Sequence, residues 1–525
     1  MYDILIKNGT VIDGTGKPRL KENIAVSKNK IVKIGKIGWS KGKVEIDAQG
    51  KIVAPGFIDI HNHSDGYWRI FLDPQLPSLI YQGITTIVGG NCGTSIAPLT
   101  DGKTIESIQK WADISKVNVD WLSMGEFVEK MREKKIGVNF ATLIGHGTLR
   151  RGVMLDEMRR LDKSELEVMK GLVEKSLQEG ALGLSTGLAY SHERQATWDE
   201  LVELAEIVKG NNRIYSTHLR DEAGGIISAL QEAIDLGKQT GVNLEISHLK
   251  VMGEKNWPLM DEVLSKIEKA HQAGIDINFD VYPYTETGSV LYVYLPAWAA
   301  EGGKKMLIRR LKEKHIREKV IQEMKNTAQY HYEDAVIAIC PFAKSLAKRK
   351  ISEIAAEREI SVEETIVDLL VASEGRVITI MESLSEENVK KAIKHPLSII
   401  ASDGAGYDVS HKESGELVHP RCFGTFPRVL GKYVREEKLL NLEEAVKKMT
   451  SMPAKKIGIE ERGILQKNYK ADIVIFDPEK ISDRATVENP YQYSKGIEQV
   501  IVNGKFAMRD QKLTGEMSGE FLISN

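Results

Sequence analysis

Residues 52–65 read IVAPGFIDIHNHSD, an apolar run that breaks off at His61-Asn62-His63. A strand alternates its faces, so residues i and i+2 point the same way. His61 and His63 therefore present two imidazoles from one strand end to one space. Seven further runs of this kind follow along the chain. GITTIVGG (83–90) leads into Asn91-Cys92-Gly93, and GVNFATLIG (137–145) into His146. GALGLSTG (180–187) is the fourth; NRIYST (212–217) ends at His218 and GVNLEIS (241–247) at His248-Leu249-Lys250. GIDINFDVY (274–282) ends at Tyr282-Pro283-Tyr284, and PLSIIAS (396–402) at Asp403-Gly404.

Between several of these runs lie amphipathic stretches with helical spacing, such as 164–180, 198–210 and 257–274. Alternating β and α units imply a parallel sheet, and eight units predict a TIM-like (β/α)8 barrel. The spacing breaks between Tyr284 and His395, which is too long for one connection and predicts a helical insertion around residues 290–375. VITIM (377–381) is an extra strand-like run with no place in the eightfold array. Both ends of the chain carry short β-like runs punctuated by Asn-Gly and Asp-Gly, as hairpins require. Each end is too short to bury a core alone. The expectation is one small β-sandwich domain built from residues 1–54 plus 457–525, beside a metal-dependent barrel over 55–456.

The bulk composition narrows the function classes. A formal net charge of −2 over 525 residues gives no nucleic-acid or membrane footprint. No run reaches the ~18 apolar residues a membrane helix needs. Three cysteines, Cys92, Cys340 and Cys422, make a poor disulfide framework and fit a reducing compartment. The N-terminus reads as a strand and turn rather than a signal peptide, so a cytoplasmic enzyme is expected.

In a barrel the C-terminal strand ends converge on one mouth, where active sites sit. A lone strand-end His is more often structural than a ligand, and a Cys after an apolar strand is usually core. Here HxH, Cys, His, His and Asp all fall at strand ends of one eightfold array, and that coincidence points to a metal site. Imidazoles, one thiolate and one carboxylate suit Zn²⁺. Cys92, His218 and His248 would hold one ion; His61, His63 and Asp403 would complete a second, weaker site with Cys92 bridging. Asp403 is the natural general acid/base. Lys250 shares a strand face with His248, so its ammonium should stand beside a ligand, unless it pairs with an acid such as Glu286. Cys340 reads as core, and His192, His271, His315, His331, His395 and His411 read as solvated. Asp221-Glu222 reads as a solvated helix start. His146 is left without a role.

The segments PGFIDIHNHSD, GITTIVGGNCGTSIAPL, LIGHGTLRRGVM, STHLRDE, ISHLK, VYPY, ASDG and HPRCFGTFPRVLG come in an order that resembles the amidohydrolase superfamily. Within it they resemble the N-acyl-D-amino-acid deacylases. The resemblance implies zinc-dependent hydrolysis of a linear amide of a small-molecule N-acyl-D-amino acid. It implies tight zinc ligands at Cys92, His218 and His248, a second site at His61 and His63, and acid/base work by Asp403. It further implies substrate-carboxylate contacts from Lys250, Tyr190, Tyr282, Ser289 and Arg421. Two stretches depart from the family pattern: SHERQAT (191–197) replaces a Pro-rich loop, and Glu286 stands where a small residue is common.

Two other readings compete. A dihydroorotase- or hydantoinase-like cyclic amidase would be expected to carry a bridging lysine on the fourth strand, which GALGLSTG lacks. A non-catalytic amidohydrolase-like scaffold would be expected to have lost ligands, and every ligand type is present. The sequence is silent on oligomeric state, on metal count and on which side chain and acyl group are preferred.

Overall fold

The eight runs become eight parallel strands: Phe57–Asp59, Ile84–Gly89, Asn139–Thr142, Gly183–Gly187, Ile214–His218, Asn243–Ile246, Ile277–Val281 and Ser398–Ile400. This is a computed structural model, and it describes residues 1–38, 41–100, 104, 117–155, 157–300, 303–327 and 330–523; the last two residues of the terminal segment lie outside them. The first three strands pair in parallel. The third continues through Ile144–Gly145 onto the fourth, and parallel pairing runs on to the eighth. The ring closes where Asp403 N donates to His61 O (2.9 Å) and His63 N to Gly404 O (2.7 Å). Ile58, Ile60, Val88, Leu143, Leu182, Ile214 and Ile399 form one buried cluster, so the barrel is a packed core and not a pore.

Helices flank the strands where the amphipathic stretches lie. Lys163–Gln178 starts at a capping box in which Asp162 accepts from Glu165 N and Glu165 answers the Asp162 backbone. Trp198–Gly210 is capped by Thr197. The stretch at 257–274 begins with a tight 3₁₀ turn containing Pro258 and becomes an α-helix at Met260–Gln272, because proline cannot donate within a helix.

Strands from both ends of the chain enter one nine-stranded sheet. Its joint is Ile52–Pro55 from the N-terminal segment against Ile473–Phe476 from the C-terminal segment. Ile4, Ile6, Ile24, Val26, Ile473, Ile475 and Ile501 are buried together on one side. The chain then leaves this sheet. Phe521 packs on Phe127 and Phe140 beside the third barrel strand, with ring centroids 5.8 and 5.6 Å apart. The insertion is helical and also contains a three-stranded antiparallel sheet. Ile378–Glu382, the VITIM run, is its central strand, between Glu286–Val290 and Val336–Ile339. Among the described residues no helix is long and apolar enough to cross a membrane.

Candidate metal centre and active-site cavity

The mouth of the barrel opens into a cavity of about 340 Å³. His63, Cys92, His218, His248 and Asp403 line it, with Lys250, Tyr190, Tyr282, Ser289 and Arg421. His61 is fully buried directly behind them. All the candidate residues therefore gather at the mouth of the barrel. Three of them, Cys92 (φ 52°), His248 (φ 35°) and Asp403 (φ 48°), hold a left-handed backbone, which costs non-glycine residues on the order of 1–3 kcal/mol. Such strain persists where the surrounding structure over-determines the position, as it does at working sites.

Cys92 Sγ is the hub. It lies 3.2 Å from His248 Nε2, 3.3 Å from His61 Nε2 and 3.8 Å from His218 Nδ1. Donors about 2.0–2.3 Å from a tetrahedral zinc stand roughly 3.3–3.8 Å from one another. The donors of His61, Cys92 and His248 all lie within 4.8 Å of one another, as do those of His61, His63 and Asp403 and those of His218, Glu222 and His248, so these residues fit a zinc ion. A second group meets at Asp403 Oδ1, 3.0 Å from His63 Nε2 and 3.5 Å from His61 Nε2. Around these side chains Asp280 accepts from His61 Nδ1 (3.2 Å) and from the His248 backbone (2.9 Å). A carboxylate on the far ring nitrogen fixes a ligand's orientation.

The electrostatics agree. Burial alone would raise the Cys92 thiol, but the facing His61 and His248 imidazoles hold it well below its ordinary value. Burial likewise opposes ionisation of Asp403, yet the Arg421 guanidinium, 2.8 Å away, keeps it well below the usual carboxylate range. Against the pull of burial, His63 and His248 are raised to about 9, held by hydrogen bonds to Asp403 and by the Cys92 charge respectively. Thiolate and carboxylates thus draw positive charge to this point, which is what a divalent cation supplies.

Several expectations are corrected. Glu222 is no solvated helix start: it lies 3.4 Å from His218 Nε2, 3.1 Å from His248 Nδ1 and 2.6 Å from Lys250 Nζ. Burial resists its charge, but His218 and Lys250 bring its pKa down to about 2. Lys250 accordingly pairs with Glu222 and not Glu286, which sits on the insertion sheet with its backbone oxygen bound by His419 Nε2 (3.0 Å). His192 and His395 are buried rather than solvated. The His192 carbonyl accepts from Arg150 Nε at 2.7 Å, and the His395 ring packs on Phe279. Sequence reasoning missed Asp280, although its spacing two residues before Tyr282 on the seventh strand was a usable signal. It also missed His419, whose Nδ1 accepts from the Arg421 backbone (3.1 Å). In the cavity wall Tyr282 Oη and Arg421 Nε are buried with no hydrogen-bond partner among the described residues. The guanidinium lies 4.8 Å over the Tyr282 ring.

Comparison with known proteins gives this mouth a context. The chain is 33% identical, over 99% of its own length and 97% of the relative's, to a D-aminoacylase of Alcaligenes xylosoxydans xylosoxydans. It is 34% identical to an N-acyl-D-aspartate deacylase of the same organism, over 99% and 95%. A solved N-acyl-D-glutamate deacylase from Bordetella bronchiseptica, complexed with zinc and a phosphonate mimic of the reaction's tetrahedral intermediate, superposes with a TM-score of 0.84 at 30% identity over the whole of both chains. Residues 44–508 match the model of the amidohydrolase family. A match across most of the chain, on a barrel whose strand ends gather thiolate, imidazole and carboxylate donors, places it plainly: the protein belongs to the amidohydrolase family.

Proposed function

We propose that the protein hydrolyses the amide bond of N-acyl-D-amino acids, releasing a carboxylic acid and a D-amino acid. The observation that carries the reading is the three-way approach to Cys92 Sγ by His248, His61 and His218, beside an ionised Asp403. Cys92, His218 and His248 would hold the tighter zinc, and His61, His63 and Asp403 the weaker second site. When bound, zinc supplies Lewis acidity that polarises a carbonyl and acidifies water.

Asp403 takes the proton from the attacking water as the C–O bond forms. It returns that proton to the amine nitrogen as the C–N bond breaks. Arg421 and Tyr282, with their unpartnered donors, hold the substrate's free carboxylate, and Lys250, Tyr190 and Ser289 complete that wall. Fixing a carboxylate, a carbonyl and a side chain at three points distinguishes enantiomers.

Two measurements test this. Paired D- and L-N-acyl amino acids should show turnover of the D form only; equal turnover, or none beyond cyclic amides, removes the reading. Elemental analysis should find about one to two zinc per chain. Cys92→Ala should lose the tighter ion, while Cys340→Ala should keep it.

A further inference from the structure

His146 begins the helix His146–Met154 and is fully buried between two carboxylates. Its Nδ1 lies 2.8 Å from Glu193 Oε2 and its Nε2 2.8 Å from Glu200 Oε1; Arg150 closes the network on Glu200. Burial resists a proton on His146, but the two carboxylates raise its pKa, and Glu200 is brought down to about 2. None of these groups lines the cavity. Glu193 belongs to the SHERQAT stretch (191–197), between the fourth strand and the helix Trp198–Gly210.

What Glu193 touches is the loop that carries Cys92. Its Oε2 accepts from Gly187 N (2.7 Å), at the end of the fourth strand. Its Oε1 lies 2.0 Å from where a Cβ on Gly93 would stand and 2.5 Å from one on Gly147. Gly93 has φ +71°, and its N–H donates to Ser185 Oγ at 3.0 Å. From the other side Thr148 N donates to Gly93 O (3.1 Å), and Ser95 N to Thr148 Oγ1 (2.9 Å). The Cys92 loop is thus held between strand four, the His146 helix and a carboxylate pressed on its glycine.

We propose that Glu193, clamped by His146, is a positioning residue that sets where the Cys92 sulfur stands. The pair acts through the loop and touches neither substrate nor metal. The proposal rests on the reading of Cys92 as a ligand, and the two can fail separately. In the metal-free full chain, Glu193→Ala should speed amide exchange of residues 90–94. With cobalt(II) as the probe, the same variant should shift the sulfur-to-cobalt charge-transfer band and lower cobalt affinity roughly 10- to 100-fold, the usual cost of losing a group that orients a ligand. Glu193→Gln, which keeps the volume and an accepting oxygen, should restore most of both. Glu193→Asp, which keeps the charge but withdraws it from Gly93 and Gly187, should reproduce part of the loss; it carries the test if Glu193→Ala does not fold. Unchanged exchange in loop 90–94 overturns the clamp. Faster exchange with an unaltered cobalt band also overturns it, because the loop would then be held without positioning the sulfur. A wild-type cobalt protein with no sulfur band would instead refute Cys92 as a ligand.

Discussion

The two ends of the barrel both bury charge, and they use it differently. At the mouth, Arg421, Asp403, Glu222 and Lys250 pair with one another, yet they face a cavity, and Tyr282 Oη and Arg421 Nε keep unpartnered donors beside it. At the foot, Lys448 is 1% exposed and donates to the carbonyls of His395 and Ser398 and to Ser398 Oγ. Lys456 donates to the Asp276 carbonyl (3.3 Å) and carboxylate (3.1 Å). Neither lysine lines the cavity at the mouth. Burial alone is therefore no mark of function. The mark is a buried charge with donors left over and space for a ligand to take them.

The sharpest way to break this comparison is Asp403→Asn. It should lower kcat on the order of 10²–10⁴-fold with the fold intact. Metal content must be measured alongside, because Asp403 also meets His61 and His63. If kcat stayed within a few-fold of wild type, the mouth would have another proton carrier.

Lys250→Met asks whether a paired lysine at the mouth still serves a ligand. A charge-assisted hydrogen bond contributes roughly 1.5–3 kcal/mol. If Lys250 turns from Glu222 to the substrate carboxylate, kcat/KM for an N-acyl-D-amino acid should fall roughly 10- to 150-fold. The matching N-acyl amino amide, which lacks the carboxylate, should lose much less. Equal losses on both would make Lys250 the mouth's counterpart of Lys448, committed to holding its own neighbours.

The smallest effect is expected at the foot. Burial lowers the Lys448 pKa to about 8. Between about 8 and the ordinary value near 10.4, the unfolded chain binds the proton more tightly than the folded one. Stability should rise with pH across that window, and the cost of the buried charge should be fully present below it. Lys448→Met should remove this rise, on the order of 3 kcal/mol, leaving kcat/KM unchanged; denaturant unfolding at the two ends of the window measures it. A kcat/KM that fell with Lys448→Met would erase the distinction between the ends.

The eight strand runs, the helices between them and the His, Cys and Asp side chains gathered at the strand ends were legible in the sequence. Alternation along a strand and three-to-four spacing along a helix are local, and they state which side chains share a face. The β-rich ends were legible for the same reason, as was the break that held the insertion. What the sequence could not decide lies across space. Asp403 meets His63 from 340 residues away only because the eighth strand closes onto the first. Glu222 read as solvated because two of its partners, His248 and Lys250, come from the next strand, and Lys250 could not be assigned its partner until the fifth and sixth strand ends stood side by side. VITIM had no place until 286–290 and 336–339 flanked it. His146 had no role until a loop 47 residues away brought Glu193 to it. A residue's own alternation sets the face it presents, but the charge and burial it meets there are set by neighbours that only tertiary packing supplies.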